Sequence, residues 1–255
     1  MAPNSSQIEC FELFMVDIST SMKKHDGFWN FFGKTRFELA KQILNGVLKD
    51  RKQSKTINVA LLVYDTSSAK RFDFCHITNK EIQYVNELKP AGPTTATYDA
   101  YKESIDYLKK DASQSAQERR IIIITDGGDN NSNPENVSKY ANIQISLEKQ
   151  NFMLRTILLQ TSTNSNGSKQ LAHELGWEYK QIRKDNVDLV TKSYLIDYPS
   201  EYTGMNRSER EKTKNFQATM ERAPIPPQTA PILHEHTSSK TTNIGKILLT
   251  ETILE

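Results

Sequence analysis

Residues 11–21 read FELFMVDISTS, an apolar run that ends in Asp17, Ser19 and Ser21. A buried strand stopping in Asp-x-Ser-x-Ser delivers one carboxylate and two hydroxyls within a single turn. All three are hard oxygen donors, suited to Mg2+ or Mn2+ and not to a soft metal. The same residue types also serve an ordinary strand-to-turn transition, in which Ser and Asp bond to nearby backbone. The stretch therefore takes its meaning from two later segments.

The first is ERRIIIITDGGDN, residues 118–130, where Ile121 to Ile124 run into Thr125, Asp126 and two glycines. An unbroken β-branched run of this length is the pattern of a strand buried on both faces, here delivering a carboxylate at its C-terminal end. The second is LKPAGPTTATYDAYKESIDYL. Pro90, Gly92 and Pro93 make a tight loop before Thr94 and Thr95, and a helix follows with Tyr98, Ala100, Tyr101, Ile105 and Leu108 on one face. Thr95 stands where its hydroxyl can cap that helix or bind a metal. In a parallel sheet the C-terminal strand ends share one edge, where ligands bind, so Asp17, Ser19, Ser21, Thr95 and Asp126 are expected to converge there as surface ligands.

With these motifs in hand, residues 8–196 resemble the von Willebrand factor A domains, a family that includes the integrin inserted domains. Its metal-ion-dependent adhesion site combines Asp-x-Ser-x-Ser, a Thr in a Gly/Pro-rich loop before a helix, and the Asp of a Thr-Asp-Gly strand end. Those positions correspond here to Asp17, Ser19 and Ser21, to Thr95 in GPTTATYDA, and to Asp126 in IITDGGDN. The resemblance implies a divalent cation, Mg2+ or Mn2+, held by these five residues, with a Glu or Asp carboxylate of a protein partner completing its coordination. It also implies a last helix able to slide as the site changes state, so that a C-terminal tail can bias the site.

The order of elements gives a repeating β-α pattern: strands at 11–17, Ile57 to Tyr64, Lys70 to His76, Phe152 to Leu159 and Glu178 to Ile182, besides the one ending at Ile124. Helices are expected from Thr35 to Lys49 and over 79–88, 97–110, 134–149, 168–175 and 186–196. Phe72 and Phe74 alternate with charged residues, and a short TSSA turn precedes them, which marks a half-exposed antiparallel edge hairpin. The fold class is α/β: a doubly wound, mostly parallel central sheet with one antiparallel edge strand and helices on both faces.

After residue 196 the composition changes. Residues 197–255 read as an extension with a capping box at Ser208 to Glu211, a polyproline-type linker APIPPQTAP and an apolar closing segment from Ile244 to Leu254. His234 and His236 fall in this Ser/Thr/Pro-rich tail and read as solvated residues.

Composition sets outer limits. The 255 residues carry 33 Lys+Arg against 31 Asp+Glu, a formal charge of +2, so bulk charge points to neither nucleic acid nor a membrane surface. Arg119 and Arg120 precede the buried strand, and Lys23-Lys24 is a single pair, which makes no basic stripe. No segment has the roughly 20 apolar residues of a membrane span, and the first residues carry no secretory pattern. Cys10 and Cys75 sit in or beside strands and are expected as buried thiols, consistent with an intracellular, cytoplasmic protein.

The chemistry favours binding over catalysis. Ser19 and Ser21 are expected to be spent on the cation, and the chain has no phosphate loop, His-Glu-x-x-His or Cys-x-x-Cys. A metal-assisted hydrolase would need His25, the one histidine near the motif, as a base on bound water. A scaffold or complex-assembly subunit that does not use metal is the other alternative. Between Ser21 and Thr35 the chain carries KKHDGFWNFFG, placing Phe28, Trp29, Phe31 and Phe32 near the metal rim. These rings either fold down as an apolar plug or remain accessible as anchors for the partner, Trp29 foremost.

Overall fold

The computed structural model describes residues 10–25, 33–111, 118–127, 131–132, 154–162 and 166–198. The predicted helix at 134–149, the aromatic residues Phe28, Trp29, Phe31 and Phe32, and everything predicted from residue 199 onward lie outside them.

Within the described residues the strands are β1 (Cys10–Asp17), β2 (Ile57–Tyr64), β3 (Ser68–Cys75), β4 (Glu118–Thr125), β5 (Leu154–Gln160) and β6 (Glu178–Gln181). They form one sheet in the order β3-β2-β1-β4-β5-β6. All pairings are parallel except β2 with β3, which is the antiparallel edge hairpin expected from the TSSA turn. The helices are α1 (Arg36–Arg51), α2 (Asn79–Glu87), α3 (Thr97–Asp111), α4 (Asn166–Glu174) and α5 (Val187–Asp197). A short 3-10 turn, Thr20–Lys23, follows β1.

Successive side chains of a strand face opposite sides of its sheet, and β1 supplies both cores. Cys10, Phe14 and Val16 pack beneath α1, α2 and α5 with Phe37, Ile43, Val47 and Val85. Phe11, Leu13 and Met15 pack on the other face beneath α3 and α4 with Tyr101, Ile105, Leu108 and Trp177. Helices therefore cover both faces, which is why β1, β2 and β4 read as continuous apolar runs instead of alternating ones.

Local chemistry sets the helix ends. Thr35 and Glu38 close a capping box at the start of α1, and Thr78 and Glu81 repeat it on α2, each satisfying two otherwise orphaned N–H groups. Beyond α4, Gly176 takes φ 67°, the left-handed conformation that ends helices at glycine.

Several expectations need correction. Strand β4 begins at Glu118, not after Arg120, so Glu118, Arg119 and Arg120 are buried strand residues. Arg120 is paired with Glu12 at 2.6 Å and with Glu118 at 2.8 Å, so it contributes to no basic surface. Just past residue 196, Tyr198 is buried, and its carbonyl accepts a hydrogen bond from Arg51 Nη2 at 2.5 Å. Cys10 is a buried free thiol as expected, whereas Cys75, also free, is only half-buried. Burial holds the Cys10 thiol protonated by raising its pKa, and a protonated thiol is unreactive.

Candidate functional site

The sheet order places the site. The connection after β1 leads to β2 on one side, while β4 lies on the other side and its own chain continues toward β5, so the C-terminal ends of β1 and β4 border a switch point. Such crevices are where open α/β sheets bind ligands. Parallel pairing carries Val16 alongside Ile124, so Asp17 and the Thr125-Asp126 pair leave the sheet as neighbours.

The side chains there form a chain of oxygen contacts. Ser19 N–H donates to Asp17 Oδ1 at 2.8 Å, and Thr125 Oγ1–H donates to Asp17 Oδ2 at 2.8 Å. Ser19 Oγ lies 2.8 Å from Ser21 Oγ, whose hydroxyl donates to Asp126 Oδ1 at 3.0 Å. The remaining oxygen of Asp126, Oδ2, accepts from Arg36 Nη1 at 2.6 Å. Asp17, Ser19, Ser21 and Asp126 are thus brought together although Ser21 and Asp126 stand 105 residues apart in the chain.

Thr95 reaches the same edge through backbone contacts. Ser19 bridges Gly92, Thr20 N–H donates to the Gly92 carbonyl at 2.7 Å, and Ala91 N–H donates to the Ile18 carbonyl at 2.6 Å. The Ala96 N–H donates to the Asp65 carbonyl at 2.7 Å, which fixes the other end of the loop. Gly92 is required by this close approach, because a Cβ there would fall 2.2 Å from the Cβ of Asp65. Ser132 Oγ also accepts from the N–H groups of Tyr98 and Asp99 at the start of α3, at 3.0 and 3.2 Å. The sequence pattern offers Thr95 as a cap for that helix.

One expectation about the site is wrong in a consequential way. The five residues are not surface ligands: Asp17 is 0% exposed, Ser19 1%, Thr95 4% and Asp126 8%, and only Ser21 is half-buried. Removing Asp17 from water is costly, and burial pushes its carboxyl up to about 6 although hydrogen bonds from Ser19 and Thr125 pull it down; the nearby Asp126 charge adds to the rise. A buried carboxylate in this condition is stabilised by any cation that reaches it.

The residues able to hold such a cation are Asp17, Ser19, Ser21 and Asp126, with Thr95 on the adjoining loop. Among the described residues no three His, Cys, Asp or Glu side chains cluster as a metal cage; the donor set here has two carboxylates and otherwise hydroxyls, the makeup of a hard-cation site that retains water. Arg36 and Ser132 were missed by sequence reasoning. Arg36 stands one residue after a helix cap, an unremarkable place for a cation until its partner 90 residues away is known.

Comparison with known proteins bears on the fold. Residues 13–128 match the von Willebrand factor type A domain family, a span that runs from β1 through β4 and includes all five predicted ligands. A von Willebrand factor type A structure from Catenulispora acidiphila aligns with TM-score 0.56 at 15% identity, covering 72% of this chain and 41% of that one. An aerotolerance-related membrane protein from Bacteroides fragilis gives TM-score 0.54 at 16% identity, with 72% of this chain and 95% of that one covered. The PilB minor pilin from Streptococcus sanguinis gives 0.56 at 16% identity, with 86% of this chain covered but only 64% of the pilin's length. No curated protein sequence matches the chain. At these identities the structural likeness is one of fold, and with the family match it supports a von Willebrand factor type A domain. No described helix is long and apolar enough to cross a membrane.

Proposed function

We propose that this domain is a divalent-metal-dependent protein-binding module. Mg2+ or Mn2+ would be held by Asp17, Ser19, Ser21, Thr95 and Asp126, and would offer an exchangeable position to an acidic side chain of a partner protein. The observation that carries the proposal is the run of contacts from Thr125 through Asp17, Ser19 and Ser21 to Asp126. It packs two carboxylates and two serine hydroxyls at the sheet edge, with Asp17 buried at a cost that a cation would offset.

When bound, the metal would supply a strong electrostatic anchor for a carboxylate. The chain's own part is positional: Thr125 and the Ser19 N–H orient both oxygens of Asp17, and the bridge at Gly92 holds the Thr95 loop beside the Ser19 turn. We propose no catalytic step. His25 is exposed, and the serines are engaged with each other and with Asp126. The free thiols Cys10 and Cys75 fit the intracellular setting we propose.

Affinity capture from lysate of the source cell, with wild type and Asp17→Asn, each in Mg2+ and in chelator, tests the reading. Proteins retained only by wild type in Mg2+ support it. A partner set that is the same in all four arms replaces it with a metal-independent scaffold.

A further inference from the structure

We infer that Arg36 is a built-in counter-cation of the site, pairing with Asp126 and competing with a divalent ion for it. The inference rests on the metal-binding reading proposed above and specifies how that site is regulated. Both oxygens of Asp126 are engaged: Oδ1 takes the Ser21 hydroxyl at 3.0 Å and Oδ2 takes Arg36 Nη1 at 2.6 Å. The pair is sheltered, with the Arg36 side chain 13% exposed and Asp126 8% exposed, so solvent and salt screen it weakly.

The start of a helix is an electrostatically unfavourable place for a cation. Arg36 is the first residue of α1, where the helix dipole repels a cation and favours an acid. The helix start has its own acid in Glu38 of the capping box, so helix formation does not call for Arg36. Its backbone N–H donates to the Lys24 carbonyl at 3.0 Å, which fastens the start of α1 to the turn that carries Ser19 and Ser21. The guanidinium is thereby held over Asp126 from a fixed base.

A divalent ion entering beside Asp126 meets this positive charge at short range, where like charges repel strongly. The guanidinium must swing away for the ion to bind, and a site that is open only part of the time shows its intrinsic affinity reduced by the open fraction. Arg36 thus sets a threshold cation concentration, below which the domain carries its own charge compensation and above which the ion takes over.

The test is Mn2+ and Mg2+ titration by calorimetry on the full chain, with no partner present, for wild type, Arg36→Gln, Arg36→Met and Arg36→Lys. The two neutral variants are expected to bind at least about tenfold tighter than wild type, as an open fraction of a tenth would give. Arg36→Lys, which keeps the charge, is expected to stay near wild type. Arg36→Met keeps the aliphatic stem, so the result does not hang on one variant folding. Equal or weaker binding by the neutral variants, with wild type still binding, overturns the inference and leaves the metal site standing. No binding by any variant removes the metal site and the inference with it.

Discussion

Arg51 at the end of α1 grips Glu12 in the middle of the sheet through two hydrogen bonds, Nε to Oε2 at 2.7 Å and Nη2 to Oε1 at 3.0 Å, and neither side chain is exposed to water. Arg120 and the Tyr194 hydroxyl also donate to Glu12, at 2.6 and 2.9 Å, and Arg51 reaches on to the Tyr198 carbonyl. One carboxylate therefore ties α1, β4 and the end of α5 to the central strand. Removing one partner of a buried ion pair leaves the other charge stranded, and Arg51→Ala is expected to cost about 3 kcal/mol or more. Replacing both residues by Met should recover only part of that loss: apolar packing substitutes for the pair itself, but Arg120 and the Tyr194 hydroxyl lose their acceptor on Glu12. Urea unfolding of the two single variants and the double variant measures the difference; additive losses would show that the two residues do not act as a pair.

The same pair sets the acid limb of stability. Burial alone would raise the Glu12 carboxyl, but the Arg51 and Arg120 guanidinium charges and their hydrogen bonds overrule it and bring the pKa down to about 2. A carboxylate depressed in the folded state contributes stability that is complete above its unfolded value near 4.5 and is lost as pH falls from there toward 2. The expected loss over that window is on the order of a few kcal/mol, since every tenfold difference in proton affinity between the folded and unfolded chain is worth about 1.4 kcal/mol. Unfolding free energies at pH 7, 4 and 3 should fall steeply for wild type and more gently for Glu12→Gln, which has no proton to take up. Parallel acid limbs would assign acid sensitivity to other groups.

These charged residues also mark the limit of what the sequence discloses. Strands β1, β2 and β4 are legible because burial on both faces demands continuous apolar runs, and the Ser68 hairpin because its turn and alternation are local. The start of β4 is not legible: Glu118, Arg119 and Arg120 break the run, and their burial depends on partners such as Glu12, 108 residues from Arg120. Arg36 is hidden for the same reason, as its meaning comes from Asp126, 90 residues on. The five candidate ligands are legible through their short motifs, yet their depth is not, because strand-end residues look exposed until neighbouring loops are placed over them.

That depth changes what an Asp17 variant should do. Asp17→Asn keeps an oxygen to accept the Ser19 N–H at the same site and removes a charge whose burial is unfavourable. It is therefore expected to fold at least as stably as wild type without metal. Saturating Mg2+ at a hundredfold excess over Kd should stabilise wild type by about 2.7 kcal/mol and Asp17→Asn by little. Thermal melts with and without Mg2+ read both effects, and a wild-type melting temperature that ignores Mg2+ contradicts the proposed site.

The Thr95 loop offers a separate test, because its placement rests on a glycine and not on a ligand. A methyl at position 92 would sit 2.1 Å from Asp65 Oδ2 and 2.2 Å from Asp65 Cβ. Rotating the carboxylate relieves the first clash but not the second, since Cβ is fixed to the backbone at the end of the β2 connection. The loop must therefore move, and the contacts that move with it are the Thr20 N–H to Gly92 bond and the Ser19 bridge. Overpacking of this kind costs about 1–3 kcal/mol, so Gly92→Ala is expected to lower the melting temperature measurably. Its further effect separates a site residue from a bystander: with Thr95 displaced, the stabilisation by Mg2+ should shrink in Gly92→Ala as it does in Thr95→Ala, although Asp17, Ser19, Ser21 and Asp126 are all intact. Full Mg2+ stabilisation in both variants would remove Thr95 from the proposed ligand set and leave the other four.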